Sequence, residues 1–280
     1  MTLTVLGIDV LPALLGNWVS WLAPDQQPFF LTPEEADAWG LEGGSREPSS
    51  EDRDTFLTYA VDSAATVVVW LTEAQFAALD KPVRGQLVRA QVRHGRGSVP
   101  AVRQWQGLLG PQLKAQADGH RFVWWRSLLA EHAAEILPVV VSEDLGPSRH
   151  AEVTDWPASL PRAQELAGTF AGGSGPNCFG TVMAAAGVGG ADSVWMMCEP
   201  FEEWLAGHSV PGGRDDEPGT VFVWRDERRV QHAAITIGGG WMLHKPAQTW
   251  WAPRKVRTVD EVRRATRTVG WRLARHRLIG

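Results

Sequence analysis

Cysteine is scarce in this chain, with only Cys178 and Cys198 among 280 residues. A disulfide framework is not implied, and no Cys/His group has the spacing of a zinc site. Tyrosine is nearly absent, one residue against fifteen tryptophans. Tryptophan serves cores and binding grooves alike, so the count alone does not separate them. No run approaches the roughly 20 apolar residues of a membrane span. The segment Met1–Ala23 is fairly apolar, but it carries no Lys or Arg and is broken by Pro12, Gly16 and Asn17. It therefore lacks the form of a secretory leader. The expectation is a cytoplasmic protein without a membrane span, with export by a route that needs no such leader left open.

The length allows one large domain or two of ordinary size, each with a real core. Charge is unevenly placed. Residues 254–280 carry nine Lys/Arg against Asp260 and Glu261, a local +7, which leaves −12 on the rest of a chain of net charge −5. A basic end of this kind reads first as a solvated helix face beside an acidic body. No aromatic-interleaved motif accompanies it, so no nucleic-acid partner is expected.

Residues 1–150 read as a mixed, mainly helical region to which no chemistry can be assigned. Thr32-Pro33-Glu34-Glu35 is a helix start, with proline in the first turn and acids at the positive end. Leu41–Arg53 is a Gly/Ser/Glu/Pro loop. Val67–Leu71 is a short buried strand, and Thr72-Glu73-Ala74-Gln75 is a capping box that opens a helix. Pro82 restarts it toward His94, with Arg84, Arg89, Arg93 and Arg96 as an exposed face. The periodicity from Phe122 to Ile136 predicts a helix ended by Pro138. Three prolines between Gly146 and Pro161 place a domain boundary there, with a second domain at 160–280.

That second domain is organised around Ser174-Gly-Pro-Asn-Cys-Phe-Gly-Thr-Val182. A Gly/Pro break feeds an Ala-rich run, so Cys178 falls on the first turn of a helix to Ala186. A lone cysteine is most often a small buried hydrophobe. At a helix N-terminus, however, the dipole favours the thiolate, which is the nucleophilic form. A further helix is expected over Val194–Trp204, with Cys198 inside it as a core residue, followed by a polar loop over Gly207–Pro218. Three strands then follow at Thr220–Trp224, His232–Ile237 and Trp241–His244. With Gly238–Gly240 as the turn, Ala234 faces His244, and His232 lies diagonal to His244 on the same sheet face. A one-residue change in the turn would separate the imidazoles. Cysteine on a helix end with two histidines on one sheet face suits thiol catalysis. One imidazole takes the thiol proton and returns it to a leaving amine, and the other orients it.

Four blocks then resemble the NlpC-type cell-wall peptidase family, in that family's order. They are Asn177-Cys178-Phe179-Gly180-Thr181-Val182, Pro218-Gly219-Thr220-Val221-Phe222-Val223, His232-Ala233-Ala234-Ile235-Thr236-Ile237-Gly238 and Met242-Leu243-His244-Lys245-Pro246. The separations are 54 residues from Cys178 to His232 and 12 from His232 to His244. The resemblance covers about residues 170–259 and implies an α+β, papain-like domain: a Cys-bearing helix packed on an antiparallel His-bearing sheet. It implies hydrolysis of amide bonds in small peptides such as peptidoglycan fragments, with no metal or organic cofactor. By this likeness Cys178 is the nucleophile, His232 the general base and His244 the orienting residue. Asn177 stands where the family has Asp, Phe179 where it has Ser, Thr220 where it has Asp and Ala234 where it has Gly. Asn177, Phe179 and Trp241 are the candidate substrate-contacting residues. An acyltransferase, a toxin-like protein modifier and a non-catalytic binding module that keeps the fold are the alternatives. The working-enzyme reading carries one further expectation, a Cys178 thiol pKa lowered by His232 and the helix end.

Overall fold

The structure, a computed structural model, describes residues 3–142, 146–227 and 229–279. Internal contacts divide the chain into two units: Val10–Val140, and segments 3–9 and 141–279 together. The division falls ahead of the proline-rich 146–161 stretch. Among the described residues no helix is long and apolar enough to cross a membrane.

In the first unit, Gln26–Leu31 pairs antiparallel with Val67–Thr72, from Gln26 opposite Thr72 to Leu31 opposite Val67. Reciprocal capping boxes at Thr32 and Thr72 start the helices Pro33–Trp39 and Glu73–Ala78, as the residue spacing dictates. The Lys81–Arg93 helix restarts at Pro82. Phe29, Leu31, Val69, Leu71, Phe76 and Leu87 form the core against it.

Three expectations for this unit are corrected. Within the expected loop, Ser49 caps a helix at Ser50–Thr55 through Asp52, a box of two short polar side chains that a search for Glu or Gln passes over. Arg96 is not on an exposed face. It is buried, donates to the Pro28 carbonyl and Gln27 Oε1 at 2.8 Å each, and lies 4.4 Å above the Phe56 ring. Burial pulls its pKa down to about 9. The third concerns Phe122–Ile136, which is two helices, Arg126–Leu129 and Ala133–Ser142, and the second runs through Pro138. An interior proline costs about 3 kcal/mol. Full burial of Ile136, Leu137 and Val141 contributes about 1.5–3 kcal/mol each and outweighs that cost.

The second unit is α+β, built on a six-stranded antiparallel sheet. Its strands are β1 (Ser209–Pro211), β2 (Thr220–Asp226), β3 (Arg229–Gly238), β4 (Trp241–His244), β5 (Lys255–Thr258) and β6 (Trp271–Leu278). Their order across the sheet is β1-β6-β2-β3-β4-β5. Helices α1 (Cys178–Ala185), α2 (Cys198–His208) and α3 (Val259–Ala265) flank it. Strand alternation gives two faces. Val221, Val223, Ala233, Ile235 and Leu243 pack with Val182 and Phe179 of α1. Phe222, Trp224, Ala234 and Met242 pack with Val259 and Val262 of α3.

The basic tail is not a solvated helix. It supplies β5, α3 and β6, and β6 pairs centrally, Leu273 opposite Trp224. Trp271, Leu273 and Arg275 share one face of β6, and the Arg275 stem covers apolar surface there, with its guanidinium 4.8 Å above Phe222 and Nε 2.8 Å from Asp215 Oδ1. The loop before Thr220 contains the short edge strand β1. Helix α2 begins at Cys198 rather than Val194, and Trp195 and Met197 stay exposed ahead of it. Cys198 is therefore half-buried at the helix start, 3.4 Å from Glu202 Oε2, and is not a core residue.

Candidate active site

Asn177 is extended and caps α1, its Oδ1 accepting the Gly180 N–H at 3.1 Å. Its Nδ2 donates to the Met196 carbonyl at 2.7 Å, and the Thr181 hydroxyl donates to the Asn177 carbonyl at 2.8 Å. A Cβ on Gly180 would run into the Ala191 carbonyl oxygen. The absent side chain is thus what lets the first turn of α1 seat so closely. These contacts fix Cys178 as the first helical residue.

The backbone groups of Ala233 on β3, of Phe179 and of Cys178 itself favour the thiolate. Two belong to the helix start and one to the residue that follows His232 on β3. Lys245 adds a positive charge that also favours the thiolate. Its side chain is fully buried, and Nζ donates to the carbonyls of Ala247 at 2.6 Å and Thr249 at 2.9 Å.

Desolvation nevertheless dominates. Burial raises the Cys178 thiol to about 11 and lowers the His232 imidazole to about 4. The expected lowering of the thiol pKa is reversed, because Cys178 lies in the packed α1 face at 8% exposure. Near pH 7 the resting pair is a neutral thiol and a neutral imidazole. His244 is also held well below 6.5, by burial first and then by the charges of His232, Lys255 and Arg257.

The histidines meet as the register requires. Ile235 is opposite Leu243 and Thr236 opposite Met242, which sets His232 diagonal to His244. Their ring centroids are 6.0 Å apart and the planes perpendicular. The turn itself differs from expectation. Gly239 and Gly240 form a two-residue turn, with a register shift between Thr236 and Gly238 on β3. Both turn glycines have positive φ, 59° and 78°, as a tight hairpin demands. The irregularity makes up the missing loop residue, so the histidine register is unchanged.

Both rings border a cleft of about 250 Å³, together with Gln231, Pro246, Thr266 and Trp271. Trp224 touches His232 at 5.4 Å between ring centroids. The imidazoles lie on the α3 face, whereas Cys178 packs on the α1 face and reaches β3 at the Ala233 backbone. Among the described residues no hydrogen bond joins the thiol to either imidazole. Neither nitrogen of His244 has a partner among those residues.

The substrate-contacting candidates sit elsewhere. Asn177 spends both polar groups of its side chain on the helix cap and Met196. Phe179 is core, stacked on Phe201 at 4.7 Å. Trp241 starts β4 at the end opposite His244, with Arg149 4.8 Å above its ring. A residue next to a nucleophile in sequence points away from it once helix or strand geometry is imposed. Lys245, in turn, was passed over in the sequence, since a lysine after a strand reads as exposed until the fold buries it.

Comparison with family models, with curated proteins and with solved structures finds no match for the chain.

Proposed function

We propose that the second unit is a papain-like, NlpC-type thiol hydrolase that cleaves an amide bond through an acyl-enzyme. The observation that supports this best is the seat of the Cys178 sulfur, on a helix N-terminus and beside the backbone of Ala233, which follows His232. His232, held neutral, is in the form a general base needs. For this, the His232 imidazole must leave its place on the α3 face and meet the sulfur on the other side of β3, where it takes the thiol proton as the S–C bond forms. The tetrahedral oxyanion is held by the backbone N–H groups around the sulfur and by the Lys245 charge. Collapse breaks the C–N bond, and His232 returns its proton to the leaving amine. Water, deprotonated by the same imidazole, then cleaves the thioester. His244 orients His232. The substrate class is a small peptide or amide, with peptidoglycan fragments as the first candidates, and no cofactor takes part. If an amine or hydroxyl replaces water in the second step, the same site is an acyltransferase or a modifier of proteins.

A second reading, a binding module that keeps this fold without catalysis, has its own support. Burial opposes an ionised thiol–imidazole pair, and the resting thiol makes no hydrogen bond to His232.

Incubation of the full chain with a panel of peptide amides, read by mass spectrometry, separates the readings. The thiol-hydrolase reading predicts an acyl adduct on Cys178 that decays to free acid and is absent in Cys178→Ala and His232→Ala. An adduct that passes to an added amine identifies transfer. Product release that persists in Cys178→Ala would contradict the thiol mechanism.

A further inference from the structure

On the α3 face of the sheet, beside the imidazole cleft, lies a larger cleft of about 550 Å³. Arg263, Arg264 and Arg267 line it with Trp224, Trp271 and Leu273. Thr268 and Trp271 border both clefts, and Trp224 also touches the His232 ring. The two clefts are neighbours on this face, with Thr268 and Trp271 between them.

The arginines are not equally occupied. Arg263 reaches Asp215 at 3.5 Å and Asp260 at 3.6 Å. Arg264 donates through Nε to the Asp260 backbone carbonyl at 3.2 Å, which leaves its terminal nitrogens for a ligand. Arg267 is exposed, and among the described residues its side chain makes no ion pair. Guanidinium groups recognise carboxylate and phosphate through paired N–H donors, and indole faces accept apolar or planar groups. Asp260 also lines this cleft, and Asp215 already engages Arg263. Three guanidiniums therefore stand against two carboxylates, one of which Arg275 shares, a surplus of about one positive charge. That modest surplus suits a singly charged carboxylate better than a phosphate dianion or a polyanion.

We infer that this larger cleft, on the histidine-bearing face of the sheet, is a binding site for a peptide-like ligand with a free carboxylate. Arg264 and Arg267 hold the carboxylate, and Trp271 and Leu273 receive the adjoining apolar body. The inference stands on the geometry of this cleft, whatever the chemistry of Cys178.

The test is isothermal titration of the full chain carrying Cys178→Ala, so that no turnover intervenes. The probes are N-acetyl-phenylalanyl-glycine and its C-terminal amide. The acid is expected to bind about tenfold or more tightly than the amide, the range of one charge-assisted contact. Arg264→Gln/Arg267→Gln is expected to abolish that preference and leave amide binding unchanged. Both side chains are exposed, so the fold should be unaffected, and the acid–amide comparison on the unsubstituted arginines stands without the variant. Equal affinities, no saturable binding of the acid, or a preference that survives the double substitution would overturn the site. Displacement of the acid by inorganic phosphate far more readily than by acetate would overturn the carboxylate assignment. Loss of acid selectivity with His232-dependent Cys178 alkylation intact would sink the site and spare the hydrolase reading. Selective acid binding with an inert Cys178 would do the reverse.

Discussion

At the scale of single residues, the candidate site balances desolvation against local donors. Burial raises the Cys178 thiol, and three backbone groups with Lys245 offset part of that rise. Removing the lysine charge has a directional outcome. Lys245→Met is expected to push the thiol pKa above its present value of about 11 and to slow alkylation of Cys178 at a fixed alkaline pH. It also leaves the Ala247 and Thr249 carbonyls short of a donor, at about 1–3 kcal/mol. Unchanged alkylation in the folded variant would show that the Lys245 charge does not act on the sulfur. The place of Cys178 at a helix start, and of His232 and His244 on one sheet face, was legible in the sequence, because the local turn and strand signals carry it. Their exposure was not, since burial depends on residues far away in the chain. The same reason hid Lys245 and Arg96, two cations with no local sign of burial.

At the scale of elements, α1 is placed by contacts that end at one glycine. Gly180→Ala forces a methyl group against the Ala191 carbonyl and is expected to destabilise the second unit by about 1–3 kcal/mol, the usual range for overpacking. It should also disturb the sulfur–Ala233 contact. Chemical denaturation checks the first effect and Cys178 alkylation the second. A variant as stable as the parent would mean that the 190–191 backbone moves aside freely. Local signals predicted elements well where the chemistry is local, as at the Thr32 and Thr72 capping boxes and the three strands from Thr220 to His244. They failed where distant partners decide. β6 is an Arg-rich segment that becomes a strand because β1 and β2 receive it on either side. The Ala133–Ser142 helix continues through Pro138 because buried apolar side chains outweigh the local penalty.

At the scale of the whole molecule, the buried ionisable groups tie stability to pH. His232 has a pKa of about 4 when folded against 6.5 ordinarily, so between those values the unfolded chain binds a proton that the folded chain does not. Its contribution is complete above pH 6.5 and is lost as pH falls toward 4, on the order of 3 kcal/mol in total. His244 acts in the same direction. Cys178 works at the other end. Its thiol is raised from 9.0 to about 11, so its own contribution falls as pH climbs from 9 to 11, while Lys255, lowered to about 8, and Arg96, lowered to about 9, act in the opposite direction there. Denaturation followed across pH should therefore show the acid limb most clearly, between about pH 4 and 6.5, and His232→Gln should flatten it. An acid limb unaltered by that substitution would place the titration elsewhere.

The central claim is that Cys178 and His232 act as a nucleophile and its base, and the most direct measurement is alkylation by iodoacetamide as a function of pH. Labelling is mapped by mass spectrometry to Cys178 and Cys198 in the parent and in His232→Ala. The account predicts His232-dependent labelling of Cys178 near neutral pH, where the neutral imidazole takes the thiol proton. It should fall off toward pH 4 as the imidazole protonates and rise again near pH 11 as the thiol ionises by itself. Cys198, whose thiol is raised by burial and then by Glu202, should follow a single thiol curve displaced to higher pH that the substitution does not move. A Cys178 profile with a single thiol inflection, the same with and without His232, would contradict the account and leave the fold as a binding module.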